Sequence, residues 1–432
     1  VLDDHDIDRL FAPLTAYPRV ALAVSGGGDS IALMLLVSEW IARASMAPEC
    51  VVVTVDHGLR RDSRREAEWV AERAAAAGFR HQILTWTDRP AHVSQAIARQ
   101  ARYDLLNEFA RDEGVAALVT AHTCDDIAET FLMRLARGSG IDGLAAMGAR
   151  TTWNGLPLVR PLLGVSRKIL RDILVARGQS WLEDPGNTDE ERFERARVRK
   201  ALITLEELGI TADSIAESAG RLRRARYAIE SMAADFLSAR VEVDPGGYVR
   251  LPSASFRALP AEIAIHVLTD VIRRVAGRAR PPRLRKLEML TQQIREAGSP
   301  AVTLGGCVVA ADAAREEIVV CREPGRLSAP ALTLSAGETV TWDGRFRISA
   351  SVSLPGTLRV DRLGDKNIAF LPEETRRSHP AAALACLPAL YDDDGVLAGI
   401  PLTEFSIFSE DPVIRHCRAV FIWENAAPQD GA

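Results

Sequence analysis

RVALAVSGGGDSIALMLLVSE, residues 19–39, is the stretch whose reading decides the fold. Val20 to Val24 are apolar without alternation, which suits a strand buried on both faces of a parallel sheet. Ser25, Gly26, Gly27 and Gly28 follow. Such a run permits backbone conformations closed to residues with a Cβ and brings main-chain N–H groups close to whatever lies above the sheet edge. Asp29 and Ser30 open an apolar helical run, Ile31 to Val37. The loop therefore feeds a helix N-terminus, where unpaired N–H groups and the helix dipole favour an anion. A bare glycine cluster is as often only a tight turn, but here Ser25 and Ser30 add hydroxyls for phosphate oxygens and Asp29 adds a carboxylate for a divalent metal.

No Lys follows the loop, so GxxxxGK[ST] is excluded, and GxGxxG does not fit. SGGGDS does resemble the pyrophosphate loop, SGGxDS, of the PP-loop ATP pyrophosphatases. That resemblance implies cleavage of ATP between its α- and β-phosphates, with an adenylated intermediate and pyrophosphate as products.

Outward from this loop, strand, polar tip and helix repeat. Apolar runs at Cys50 to Val55, Phe79 to Trp86, Val115 to Thr120 and Pro157 to Leu163 predict four more strands. Helical spacing follows at 91–111, 125–136 and 166–176, and residues 1–19 read as a short amphipathic helix leading into the first strand. The fold class expected is α/β, a doubly wound parallel sheet. Ligands sit beyond the strand C-termini of such sheets, so the polar tips at 25–30, 56–60 and 121–126 should face one crevice.

From about residue 201 the rhythm stops. Residues 211–240 and 253–292 read as helical, and 301–321 as a two-strand candidate with a Gly-Gly turn. Glu323-Pro324-Gly325 reads as a linker, and LTLSAGETVTWDGRFRISAS beyond it alternates and turns at Asp343-Gly344. Three domains are expected: a catalytic domain over 1–205, a mainly helical middle domain over 206–325, and a small strand-rich α+β domain over 326–432.

The chain has 432 residues, 47% hydrophobic and 26% charged, within the range of globular proteins, and no apolar stretch reaches the length of a membrane span. It begins with Val, so the natural start can lie upstream. Six scattered cysteines without a CxxC pair argue for a reducing cytoplasm and against a zinc or iron–sulfur site. A net charge of −5 taken alone counts against nucleic acid. The distribution points the other way. Arg192, Arg195, Arg197, Arg199 and Lys200 crowd together, four Arg fall within 221–226, and 271–287 holds seven basic residues and no acid. Any one cluster reads as a solvated helix face; three suggest patches for a polyanion.

The stretch 119–147, VTAHTCDDIAETFLMRLARGSGIDGLAAM, carries the remaining chemistry. His122 stands at a strand tip, and Asp126 and Glu129, three apart, share one helical face. Acids in a first helical turn are also ordinary dipole partners. Together with VDHGLR at 55–60, ARYDLL at 101–106, RPLL at 160–163 and WLEDPGN at 181–187, this stretch resembles the tRNA(Ile)-lysidine synthase family, strongly over residues 20 to about 200 and elsewhere only in layout.

The resemblance implies a ligase that uses ATP and Mg²⁺ to replace the C2 oxygen of the wobble cytidine in the CAU anticodon of tRNA(Ile) with the ε-amine of free L-lysine. By match to the family pattern, Ser25, Gly26, Gly27, Gly28, Asp29 and Ser30 would hold the ATP phosphates, Asp29 near the metal and Asp56 by the nucleotide. His122, Asp126 and Glu129 would form the lysine and cytidine site, with Arg102, Arg195 and Arg199 facing phosphate or the flipped base. Thr123, Cys124, Ile127 and Ala196 depart from the residues usual in the family, and none of these departures removes an acid or a phosphate ligand. Homodimer formation is left open. The alternatives are a PP-loop tRNA thiolase, which would need a catalytic cysteine set, and a catalytically silent RNA-binding protein on the same fold. Cys124 reads as a small buried residue rather than a thiolation nucleophile.

Overall fold

A computed structural model describes residues 2–60, 62–90, 92–183, 194–278, 280–296, 301–405 and 414–423. The chain divides into two compact units, Val1–Arg226 and Tyr227–Pro428.

The first unit is built on a six-stranded sheet. Its elements in chain order are α1 (Asp4–Phe11), β1 (Arg19–Ala23), α2 (Gly28–Arg43), β2 (Glu49–Asp56), α3 (Ser63–Ala76), β3 (Arg80–Thr85), α4 (Gln95–Asp112), β4 (Ala117–Val119), α5 (Cys124–Leu135), α6 (Ile141–Leu144), β5 (Arg150–Trp153), β6 (Leu156–Val159), α7 (Arg167–Ala176) and α8 (Glu194–Glu207). The strand order is β3-β2-β1-β4-β6-β5, parallel except for β5. β1 is central, with Val20 opposite both Cys50 of β2 and Ala117 of β4.

Its apolar run is buried on both faces, as expected. Val20, Leu22 and Val24 pack with α1, α2, α3 and α7 side chains such as Phe11, Leu33, Val70 and Leu170. Ala21 packs on the other face with Tyr103, Leu106 and Phe109 of α4. Helices on both faces make the sheet doubly wound. β5, which the sequence analysis did not separate, turns back through Asn154-Gly155, both with positive φ, as a two-residue hairpin loop requires.

The helix α9 (Ala212–Arg240) spans the boundary between the units in sequence. The second unit opens with β7 (Glu242–Asp244), β8 (Tyr248–Pro252), α10 (Ser253–Ala258), α11 (Ala261–Val275), α12 (Leu284–Glu296), β9 (Val302–Leu304), β10 (Cys307–Asp312) and β11 (Glu317–Arg322). The helices read from the sequence are present, and they pack on a five-stranded sheet, β7-β8-β11-β10-β9, where only two strands were expected. The Gly305-Gly306 turn joins β9 to β10 with positive φ at both residues.

Two further sheets follow: β12 (Leu332–Ser335) with β15 (Thr357–Arg362), β16 (Pro388–Tyr391) and β17 (Leu397–Gly399), and β13 (Thr339–Trp342) with β14 (Phe346–Ala350) and β18 (Cys417–Phe421). The turn read at Asp343-Gly344 is the β13–β14 hairpin. Among the described residues no helix is long and apolar enough to cross a membrane.

Candidate active site

The chain leaves β1 for β2 on one side and meets β4 on the other, so the loops after β1 and β4 flank the point where strand order reverses, the usual ligand crevice of such a sheet. After β1, Gly26 takes a φ of +91°, and a Cβ there would stand 2.7 Å from Leu182 Cδ1. Leu182 N–H donates to the Gly26 carbonyl at 2.9 Å. Ser30 Oγ closes the loop, donating to Gly27 O at 2.8 Å and accepting from Ser25 N–H at 3.2 Å. Gly27 caps α2 with no side-chain hydrogen bond, which leaves the first turn of α2 without a side-chain acceptor. Gly28 lies against the Trp181 ring. Asp184 to Asn187 of the WLEDPGN stretch, and Arg192, lie outside the described residues.

After β4, Thr123 and Asp126 form a capping box: Asp126 Oδ2 accepts from Thr123 N–H at 2.9 Å and from Thr123 Oγ1 at 3.1 Å. Thus one of the expected site acids also starts α5. Glu129, one turn on, is fully buried. Both share a helix face, and that face meets a residue that the sequence analysis did not single out. Arg167, the first residue of α7, donates through Nε to Asp29 Oδ2 (3.1 Å), through Nη1 to Glu129 Oε1 (3.2 Å) and through Nη2 to Asp126 Oδ1 (3.3 Å). Its backbone N–H donates to Asp125 Oδ2 at 2.7 Å. Arg199 adds a second cation to Glu129, at 2.6 Å from Oε1 and 3.4 Å from Oε2. Arg199 was expected at phosphate or base; here its guanidinium lies on Glu129.

These neighbours set the ionisation of the acids. Burial raises the Asp29 carboxyl, with Arg167 opposing it. At Asp126 burial also opposes ionisation, but the His122 ring, the Arg167 guanidinium and the Thr123 N–H outweigh it, and the carboxyl is held below its ordinary value. His122 is lowered to about 3 by burial, reinforced by Arg160, Arg99 and Arg102 against the pull of Asp126. Its ring is therefore neutral at pH 7, with Nδ1 at 2.9 Å from Thr120 Oγ1.

Arg99 and Arg102 flank the buried Tyr103 ring at 5.3 and 5.4 Å, and Tyr103 stacks on Trp153 with centroids 4.6 Å apart. The fields of Arg102, Arg160 and Arg195 all depress the Arg99 guanidinium after burial itself, and three of these cations, Arg99, Arg102 and Arg160, act on His122. Arg160, buried, donates to Gly148 O and Thr151 Oγ1. Arg195 is exposed on α8. Asp56 ends β2 and accepts from Gly58 N–H at 2.9 Å and Ser63 Oγ at 2.7 Å, so it shapes the second loop. Cys124 is buried and its thiol raised, first by burial and then by Asp125, which suits packing rather than nucleophilic attack.

The chain thus brings a phosphate-type loop and an acidic helix start together, joined by Arg167. Arg167, Arg160 and Arg99 were not assigned roles in the sequence reading, although RPLL contains Arg160 and ARYDLL begins two residues after Arg99.

Comparison with known proteins agrees with this fold. Residues 3–206 match the model of a PP-loop domain family. A tRNA(Ile)-lysidine synthase of Ruegeria pomeroyi is 39% identical over 91% of this chain and 91% of its own length. One from Brucella anthropi is 34% identical over 97% of this chain and 94% of its own. A third, from a Bradyrhizobium strain, is 41% identical over 74% of this chain and 94% of its own. With likeness running through both units and a PP-loop domain carrying the crevice, the chain belongs to the tRNA(Ile)-lysidine synthase family.

Proposed function

We propose that this chain adenylates the C2 oxygen of the wobble cytidine in a tRNA(Ile) with a CAU anticodon and then replaces that oxygen with the ε-amine of free L-lysine, releasing AMP and pyrophosphate. The observation that carries the reading is the crevice at the β1–β4 switch point, with a phosphate-type loop on one side and two acids facing a cation on the other. A pyrimidine carbonyl oxygen is a poor leaving group, so activation by ATP must precede attack by an amine.

In this reading the loop Ser25 to Ser30 holds the phosphates. Asp29 suits Mg²⁺: its Oδ2 meets Arg167, its Oδ1 has no partner among the described residues, and one carboxylate plus phosphate oxygens is a common way to hold that ion. A metal bound there would offset the charge developing on the leaving pyrophosphate. Asp126 and Glu129 receive the lysine ammonium, and neutral His122 lies against the pyrimidine without the cost of desolvating a charge. Arg102 and Arg195 receive RNA phosphate. The three-domain division at 205 and 325, and a cytoplasmic location, go with this reading.

Incubating the chain with ATP, Mg²⁺, labelled lysine and total tRNA tests it. Label should enter RNA and map to a CAU anticodon. ATP–pyrophosphate exchange with tRNA but no lysine incorporation would remove the ligase reading.

A further inference from the structure

The reaction proposed above asks the crevice to accept two cations from solution, a metal beside ATP and the lysine ammonium. One guanidinium already stands between the groups assigned to both. Arg167 gives one nitrogen to each of Asp29, Asp126 and Glu129, at 3.1 to 3.3 Å. The other oxygens of the two amine-binding acids are occupied: Asp126 Oδ2 accepts twice from Thr123, and Glu129 Oε2 faces Arg199. An ammonium that is to touch both acids must therefore take the positions that Arg167 holds. Glu129 is fully buried, so an incoming ammonium must displace one of its guanidinium partners, and Arg167 is the one that also holds Asp126.

The Arg167 backbone is pinned, its N–H on Asp125 and Ser166 Oγ accepting from Ile169 N–H at the start of α7. Its side chain is not so constrained, because rotation about its own torsions moves the guanidinium while α7 stays in place. It already touches Asp29, the carboxylate within the phosphate-type loop. Phosphates arriving at residues 25–30 would offer it a bidentate partner in place of single contacts to three carboxylates.

We propose that Arg167 is an internal place-holding cation: it neutralises the amine site while the crevice is empty and transfers to the phosphates when ATP binds, so that nucleotide binding raises the affinity for lysine. This rests on the lysine-ligase reading and adds an order to it. No bond is made or broken in the exchange. Asp126 and Glu129 pass from the guanidinium to the substrate ammonium, and Glu129 keeps Arg199 throughout.

The test is equilibrium dialysis of labelled lysine against the full chain, with and without Mg²⁺ and an ATP analogue that carries a methylene bridge between the α- and β-phosphates. In the wild type the analogue should tighten lysine binding by roughly 5-fold or more, the lower end of ordinary coupling between sites. In Arg167→Met that ratio should fall to about 1, with lysine bound without nucleotide at least as tightly as by the wild type, because the competing cation is gone. Arg167→Lys, which keeps the charge but can reach fewer of the acids at once, should retain only part of the ratio and decides the matter if the Met variant does not fold. A wild-type ratio in either variant overturns the proposal. So does a natively folded Met variant that binds ATP but has lost lysine in both states, since Arg167 would then be only a clamp. Wild-type chain that binds no lysine in either state brings down the ligase reading itself, an outcome distinct from the other two.

Discussion

Asp29 supplies the only carboxylate of the 25–30 loop, and it is partly exposed at the start of α2, so its removal should spare the core. In Asp29→Ala, formation of AMP with tRNA should fall by a factor of about 100 or more, the scale on which a lost charge-stabilising group acts, with an unchanged circular dichroism spectrum. Wild-type AMP formation would remove the metal role from Asp29. Glu129 acts later. For Glu129→Gln the adenylated RNA should still form while lysine incorporation falls by roughly 100-fold, the range of positioned proton-handling groups. Single-turnover measurements of AMP release and lysine incorporation separate the two steps, and loss of adenylation first would put this acid on the wrong substrate. His122 makes a pH prediction. Its folded pKa is lowered, to about 3, so the unfolded chain binds more protons below pH 6.5. Its contribution to stability is thus complete above about pH 6.5, the free-histidine value, and is lost progressively toward 3. His122→Asn should flatten the pH dependence of unfolding over that window in denaturant titrations. The spacing of Asp126 and Glu129 was legible because three residues along a helix fix a shared face. The partner that organises them was not, since Arg167 lies 38 residues from Glu129 and 138 from Asp29.

Local signals governed most elements, and those that escaped had signals of the same kind. Asn154-Gly155 between Trp153 and Leu156 is a hairpin turn, and only its second strand was read, because that apolar run resembles its parallel neighbours while Arg150 to Trp153 carries no apolar run. The β13–β14 hairpin was read correctly from Asp343-Gly344, but its turn has a second role that sequence does not show. Asp343 Oδ2 accepts from Arg345 Nε at 2.7 Å and from Arg322 Nε at 3.1 Å, and all three side chains are buried. Asp343→Ala leaves two buried guanidinium groups short of a counter-charge and forces Ala into a φ of +49°. The second unit should lose about 3–5 kcal/mol, the cost of breaking a buried pair from one side. Denaturant unfolding followed by tryptophan fluorescence, with buried Trp342 as the adjoining reporter, checks this.

Across the whole molecule, the basic clusters read as one signal in the sequence have separated into different uses. Arg199 is paired with Glu129, Arg223 donates to the Ala145 and Met147 carbonyls, and Arg273 and Arg274 pair with Asp270. Arg195 is exposed, and its charge reaches the Asp126 carboxyl only as a minor field beside those of His122 and Arg167. Arg195→Ala should therefore weaken tRNA binding and reduce the log–log salt slope by roughly one unit for each phosphate it no longer neutralises, measured by filter binding from low to moderate salt. An unchanged slope returns Arg195 to an ordinary solvated helix face.

The sequence by itself determined the doubly buried central strand, the glycine loop feeding α2, the shared helical face of Asp126 and Glu129, the hairpin at Asp343-Gly344 and the family resemblance. Each of these is a pattern within a few residues or a set of such patterns, and backbone sterics and periodicity act over that range. Which cation meets which acid was decided only by the tertiary structure. Strand order sets β1 beside β4, and α7 then delivers Arg167 between the loop after one and the helix after the other. Ion pairing depends on distance in space, and no local pattern encodes a contact that exists only after the sheet has assembled.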